Sequence, residues 1–542
     1  MSAGSEGGKR ARLGTDTRGG RFAMIVEDQS EVIAFLSRGE SFGAAEQTVE
    51  RYETHASVVF LVGARAYKLK RAVKYPYLDY STRERRRHFC EAEVRVNQAM
   101  APALYLGVVP VCRGTDGALR LGVGGTPVDW LVEMTRFEQG WLLDGLATEG
   151  RLDRFVMESV ADEIAAFHRR AEVKAGSGDA ASFAALIEGN AGSFAEVPAG
   201  VLDAAQTGRL SKLSRQMLAE CAAVIDRRSG AGFVRRCHGD LHLRNIVVHD
   251  GRPVLFDAIE FSDALAEIDV LYDLAFLIMD LQFRGLDLLA SILFNRYLDN
   301  TGDRGGLQPL PLFLSLRAAI RAHVDAAAVA TQSRPEAAAE QAATAARYLA
   351  LALDYLVPRA PRLIAIGGLS GSGKSRLARH LAPLVGPPPG ARVVRTDSTR
   401  KRLAGVPLGS RLGASFYSET AGQRTYEAAT TEAADALAGG RAVIADAVFA
   451  RPEERAAIAR VAADLGVPFH AIWLEASPHT LQERVARRRH NVSDATPAVV
   501  RMQLDYDLGP LDWPRLDSSA DGDATVAAAL RLLGLPAPGL AA

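Results

Sequence analysis

No run of about 18 apolar residues occurs in the 542-residue sequence, so a membrane-crossing helix is not expected. Even the greasiest stretch, Leu271–Leu281, carries Asp273 and Asp280. An excess of one charge is lacking too. The 64 Lys and Arg balance the 64 Asp and Glu, which removes the general electrostatic case for a nucleic-acid or acidic-membrane partner. Cys90, Cys112, Cys221 and Cys237 form no C-x-x-C pair and no cluster of zinc spacing, and they read as reduced thiols of a cytoplasmic protein. The N-terminal segment is rich in Gly, Arg and Ser and lacks the apolar core of a secretory signal. Residues 1–24 are therefore expected to form a disordered tail, and 535–542 a flexible one.

What remains is an ordinary globular composition, 48% hydrophobic and 24% charged, in a chain too long for one compact core. Ser57–Val62 and Tyr67–Val73 read as a hairpin feeding a charged helix over Ser81–Met100. The apolar run Val128–Met134 and the helical stretches Leu152–Arg170 and Ala204–Asp226 follow. A small sheet-bearing lobe to about residue 134 thus precedes a helical lobe. The Ala-rich stretch from His323 to Leu356 stops at Pro358 and Pro361, which places the main boundary between a 25–358 domain and a 361–534 domain. Beyond it, strand candidates Leu363–Gly367, Arg392–Thr396, Ala442–Ala445 and His470–Glu475 alternate with helices, and Pro514–Leu516 is a short fifth candidate. That alternation predicts an α/β domain with a parallel, helix-covered sheet.

Gly368-Leu369-Ser370-Gly371-Ser372-Gly373-Lys374-Ser375 matches G-x-x-x-x-G-K-[ST] between a strand and a helix. Its backbone N–H groups would cradle phosphates, Lys374 would reach their oxygens, and the Ser375 hydroxyl would ligate Mg²⁺. Asp397, read as ending the second strand, is placed as the base for a substrate hydroxyl, and Arg400 as a holder of substrate or transferring phosphate. Asp446, ending the next strand, suits Mg²⁺. The basic helix end Glu483–His490 leads into Asn491-Val492-Ser493-Asp494, read as a mobile lid whose Arg487 is a candidate for neutralising the transferring phosphoryl group. From Pro361 to about Gly534 these motifs resemble the small P-loop kinases that include gluconate kinase, polynucleotide kinase and the zeta-toxin-like proteins. The resemblance implies transfer of the ATP γ-phosphate to a hydroxyl, and leaves the substrate open.

In the first half, His238-Gly239-Asp240 and Asn245 precede a hairpin that ends in Phe256-Asp257. This spacing brings two carboxylates and an amide together: Asp240 to accept a hydroxyl proton, Asn245 and Asp257 to hold Mg²⁺, and His238 to brace the loop. The elements resemble the aminoglycoside phosphotransferase family, a branch of the two-lobed α+β protein-kinase-like fold. That fold requires a lysine for the nucleotide phosphates on the second hairpin strand. Lys68 is favoured, with Glu93 as its helix partner, while Lys70 and Glu91 stand as alternatives. Met134 falls in a segment that resembles the inter-lobe hinge whose backbone meets adenine. The glycine-rich loop of the fold is missing, and Glu53–Ser57 stands in its place. Arg83–His88 reads as a solvated helix face and His168 as a packed helix residue.

Over residues 25 to 534 the chain resembles bacterial fusions of these two domains. The expectation is a two-site, ATP- and Mg²⁺-dependent phosphotransferase acting on a small hydroxyl-bearing acceptor. The alternatives are a sensing first half that gates one active P-loop kinase, and a toxin-like P-loop kinase.

Overall fold

The computed structural model describes residues 24–75, 78–122, 124–332, 334–487, 492–519 and 521–535. The expected tails therefore lie almost wholly outside the described residues, as do Arg488–Asn491 of the expected lid. The chain divides into two compact units, one running to Glu91 and including Gly107–Met134, the other comprising Ala92–Leu106 and everything from Thr135 onward.

The first unit is built on a six-stranded sheet of β1 (Glu50–Glu53), β2 (Ser57–Val62), β3 (Arg65–Lys70), β4 (Tyr105–Arg113), β5 (Leu119–Leu121) and β6 (Thr126–Thr135), in the order β1-β2-β3-β6-β4-β5. Val58, Phe60, Leu69, Val111 and Leu131 form its apolar core. The turn that replaces a glycine-rich loop is closed by Thr54, whose N–H donates to the Ser57 carbonyl (2.8 Å) and whose hydroxyl accepts from the Ser57 N–H (2.9 Å). Helix α1 (Arg83–Gln98) departs from the expected solvated face at one position. Arg86 is fully buried and pairs with Asp129 and Glu27, both at 2.8 Å. A charge can be buried there because two carboxylates and the Tyr80 carbonyl satisfy the guanidinium.

The second unit holds both the helical lobe and the P-loop half. The lobe contains α2 (Arg154–Arg170), α3 (Ala204–Gly230), the hairpin β7 (Ile246–His249) and β8 (Arg252–Leu255), α4 (Val270–Phe283), α5 (Asp287–Thr301), α6 (Leu310–Ala328) and α7 (Pro335–Tyr355). All but two residues of α4 are buried, so it is apolar all round, as a central core helix must be. The P-loop half has five parallel strands: β9 (Leu363–Gly367), β10 (Arg392–Arg395), β11 (Val443–Asp446), β12 (Phe469–Glu475) and β13 (Arg515–Asp517), in the order β10-β11-β9-β12-β13. β9, at the centre, is buried at every residue, which accounts for its unbroken apolar sequence.

Edge strand β10 is covered by α5. Asn295 acts as a substitute strand: its Oδ1 accepts from the Val393 N–H (2.7 Å) and its Nδ2 donates to the Ala391 carbonyl (3.1 Å). Asp299 accepts from the Arg392 guanidinium (2.5 Å) and the Ser398 hydroxyl (2.7 Å), and Arg392 also pairs with Glu432 (2.7 Å). Burial would raise the Asp299 pKa, but Arg392, Arg395 and Ser398 outweigh it and hold the carboxyl below its usual range. Asp299→Ala is expected to destabilise the protein by about 3 kcal/mol, because a buried guanidinium loses one of two carboxylates. The urea midpoint of the full chain checks this.

Candidate active sites

Helix α8 (Lys374–Leu381) starts directly at the phosphate loop, with Gly373 as its N-cap. Gly368 and Gly371 both have positive φ, and a Cβ on either would lie 2.5 Å from a backbone carbonyl, of Leu474 and Leu481 respectively. Only glycine fits those two positions. The Ser370 N–H donates to Gln503 (2.8 Å), the Ser372 carbonyl accepts from the Ser518 hydroxyl (2.8 Å), and Lys374 Nζ spans the loop to the carbonyls of Gly368 (2.7 Å) and Leu369 (3.0 Å).

The loop opens into a cavity of about 1490 Å³ that Lys374, Ser375, Asp397, Arg400 and Asp446 also line. Asp446 is the last residue of β11 and buried, and among the described residues its Oδ2 has no hydrogen-bond partner. With the Ser375 hydroxyl, it offers hard oxygen ligands on one wall, a donor set that fits Mg²⁺. Arg395, which the sequence reading passed over, spans the two: Nη2 donates to Ser375 Oγ (3.3 Å) and Nε lies 3.4 Å from Asp446 Oδ2.

Asp397 does not end a strand. β10 stops at Arg395, and the chain enters α9 (Thr396–Leu403) at once, which puts Asp397 in the first helical turn, where the helix dipole favours a carboxylate. Arg400, one turn on, stacks over the Tyr417 ring at 4.6 Å. Asp494, expected on a mobile lid, is an anchor instead. It accepts from the Tyr417 hydroxyl (2.7 Å), Lys401 Nζ (3.1 Å) and the Leu412 N–H (3.1 Å). Arg487 does not line the cavity: its side chain is 79% exposed and pairs with Glu483. Arg484 does line it, and donates to the Ser518 carbonyl (2.7 Å).

In the helical lobe, Asp240, Asn245 and Asp257 lie around the β7–β8 hairpin. Asn245 Nδ2 donates to the Asp240 carbonyl (2.9 Å) and carboxylate (3.0 Å), which leaves its own Oδ1 for another partner. Asp257 has φ of 63°, a strained conformation for a non-glycine residue, and its N–H donates to the Tyr105 hydroxyl (3.0 Å). These oxygens again fit a hard divalent cation. His238 is buried, which lowers its pKa and keeps it neutral. Its Nε2 lies 2.9 Å from the Phe256 carbonyl, and its Nδ1 accepts from the Asp240 N–H (3.3 Å), so the two bonds together select the Nε2-protonated tautomer. Desolvation would raise the Asp240 pKa, but His242 and Arg317 prevail and hold it well below the carboxylate range. His168 is packed in α2, as expected, and also braces the loop indirectly. Its Nε2 lies 3.1 Å from Asp273, whose carboxylate accepts from the N–H groups of His238 (3.1 Å) and Gly239 (2.9 Å).

Burial separates the two lysines of β3. Lys70 is 1% exposed and its Nζ lies 3.2 Å from the Tyr80 hydroxyl, whereas Lys68 is only partly buried. Glu93 is fully buried, while Glu91 is exposed and pairs with Arg87 (2.8 Å). Met134 is buried near the end of β6.

Comparison with known proteins gives two family matches: "Phosphotransferase enzyme family" over residues 53–310 and "AAA domain" over residues 363–507. An uncharacterized protein of Mycobacterium tuberculosis (strain H37Rv) is 30% identical over 498 residues, 90% of this chain and 96% of its own. One of Mycobacterium bovis matches to the same extent. Among solved structures, a gluconokinase from Sinorhizobium meliloti 1021 aligns at 21% identity with a TM-score of 0.24, covering 32% of this chain and 93% of its own. A choline/ethanolamine kinase family protein from Mesorhizobium loti aligns at 14% identity with a TM-score of 0.35, covering 60% and 98%.

Proposed function

Since the chain belongs to the same family as these mycobacterial proteins, and is a kinase that joins a phosphotransferase-family domain to a P-loop domain, we propose that it is a two-site phosphotransferase. Each site uses ATP with Mg²⁺ and transfers the γ-phosphoryl group to a hydroxyl of a small molecule. The observation that carries this reading is the duplication of equipment. Asn245 is bonded to Asp240, with Asp257 at the far end of the same hairpin, and Asp397 lines one cavity with Ser375 and Asp446.

At the P-loop site the backbone N–H groups and Lys374 hold the nucleotide phosphates, and Ser375 and Asp446 are the residues that would hold the metal. Bound Mg²⁺ would neutralise charge on the β- and γ-phosphates. Asp397 takes the acceptor's hydroxyl proton as the new O–P bond forms and the β,γ-bridging P–O bond breaks, releasing ADP. Arg400 and Arg484 hold the transferring group, in place of Arg487. At the first site Asp240 orients the hydroxyl and receives its proton. Asn245 and Asp257 would hold the metal. Of the two lysine candidates of β3, burial favours Lys70 over Lys68 as the nucleotide-phosphate lysine.

The test is ATP consumption by the full chain over sugars, sugar alcohols, aminoglycosides and nucleosides, with product masses determined. Lys374→Ala and Asp240→Asn should each abolish a different product, and the double variant both. Absence of any phosphorylated product from the folded wild-type chain would reject the two-site reading. Asp397→Asn should lower kcat at the P-loop site by roughly 10²–10⁴-fold, the usual contribution of a positioned base, with nucleotide affinity nearly unchanged. An equal loss of nucleotide binding would assign Asp397 a structural role instead.

A second reading is favoured by the bond from Asp299 to Ser398, the neighbour of Asp397. In it the first half steers the P-loop site without turning over. It predicts that Asp240→Asn removes no product.

A further inference from the structure

The P-loop cavity is not lined by P-loop residues alone. Arg154, the first residue of α2 in the helical lobe, lines it together with Arg379 of α8 and Arg395 at the end of β10. A continuous set of bonds holds Arg154 there. Asp162 of α2 pairs with Arg296 of α5 through two bonds (2.6 and 2.7 Å) and accepts from Asn300 (2.6 Å). α5 is in turn tied to β10 through Asn295 and Asp299.

Charge at this end of the cavity is only partly compensated: Arg395 lies 3.4 Å from Asp446 Oδ2, but among the described residues its two neighbours have no such carboxylate. Among the described residues Arg154 makes no ion pair, and its guanidinium lies over the Phe155 ring at 4.3 Å. Arg379 likewise has no carboxylate bonded to it. Burial, then the nearby charges of Arg154 and Arg395, lower its pKa to about 10, and Glu158 and Asp446 act weakly in the other direction. Like charges gathered in a partly desolvated wall repel one another unless an anion shares the space. Arginine forks match the geometry of phosphate and carboxylate oxygens.

The nucleotide has its own phosphate-binding equipment in the loop amides and Lys374. The arginines lie instead toward β10, the strand that leads within two residues to Asp397. Resting on the P-loop kinase reading, we propose that Arg154, Arg379 and Arg395 form an oxyanion-binding end of the acceptor pocket. The acceptor accordingly carries a phosphate or carboxylate besides the hydroxyl that is phosphorylated. The pocket is shared between the two halves, and Arg154 makes the acceptor specificity of one depend on the other.

Calorimetric titration of the full chain loaded with Mg²⁺-AMP-PNP tests this with three probes that share a hydroxylated frame: glycerol 3-phosphate, glycerate and glycerol. At least one of the two anions should bind ten or more times tighter than glycerol, and the phosphate and carboxylate arms identify which. Arg154→Gln should lose that preference about tenfold and Arg154→Lys should recover part of it, with Arg379→Met as a second variant that lowers it. Equal binding of all three probes, or anion binding unchanged in both Arg154→Gln and Arg379→Met, would overturn the proposal. The kinase reading fails separately, if Mg²⁺-AMP-PNP shows no binding that depends on Lys374.

Discussion

Lys374→Ala in the full chain, combined with Asp240→Asn to silence the first site, should reduce γ-phosphate transfer at the P-loop site by at least about 10²–10³-fold, the cost of removing one pre-placed donor to developing negative charge. The effect is large because Lys374 Nζ spans the loop carbonyls of Gly368 and Leu369, while Arg395 and Arg400 are held elsewhere. Arg395 is engaged with Ser375 and Asp446 (3.3 and 3.4 Å), and Arg400 is stacked on Tyr417. Gly368 and Gly371 keep the loop shape without the lysine, since their positive φ and tight backbone contacts do not depend on it. The variant should therefore melt close to wild type while losing turnover. The measurement is product formation by mass spectrometry alongside thermal unfolding, and near-normal turnover in this variant would remove the P-loop assignment.

The phosphate loop and the parallel sheet were legible in the sequence because their determinants are local. Eight consecutive residues specify the loop, and an apolar strand flanked by turns specifies each buried β-element. The His238–Asp257 segment was legible for the same reason, as its parts follow one another around a hairpin. Legibility failed where distant residues decide. Lys68 and Lys70 share a strand face, and only what packs around them makes one buried and the other not. Arg86 sits in a run of charges that looks solvated, yet Asp129, 43 positions away, draws it inside. Asp397 was read as ending a strand, whereas the chain already turns into a helix at Thr396, one residue before it. Arg154, Asp299 and Arg395 left no sequence signal at all. Their meaning lies in contacts such as Asp299 with Ser398, 99 positions apart, which no periodicity reports.

Asp240→Asn in a Lys374→Ala background should reduce transfer at the first site by roughly 10²–10⁴-fold while Mg²⁺-ATP binding persists. The substitution is nearly isosteric and keeps an oxygen that can accept from Asn245, so the loop held by Asp273 and His238 retains its shape. What disappears is the charge. Desolvation works against the charge of Asp240, but His242 and Arg317 hold it ionised, so at neutral pH it can accept a proton, and its amide replacement cannot. Raising the pH cannot restore the variant, because the amide has no proton to lose. A second consequence follows from linkage. A carboxyl whose folded pKa lies below its unfolded value stabilises the fold above the unfolded pKa, and that contribution is lost only as pH falls through the folded pKa. The variant should therefore unfold at a slightly lower urea concentration than its parent at pH 7, and the difference should shrink as the buffer is acidified below about pH 4. Calorimetric Mg²⁺-ATP binding and γ-phosphate transfer, measured on both chains, decide the matter. Binding without transfer in the variant and both in the parent make Asp240 the base, whereas transfer at the parental rate in the variant would leave the first half without a chemical role for it.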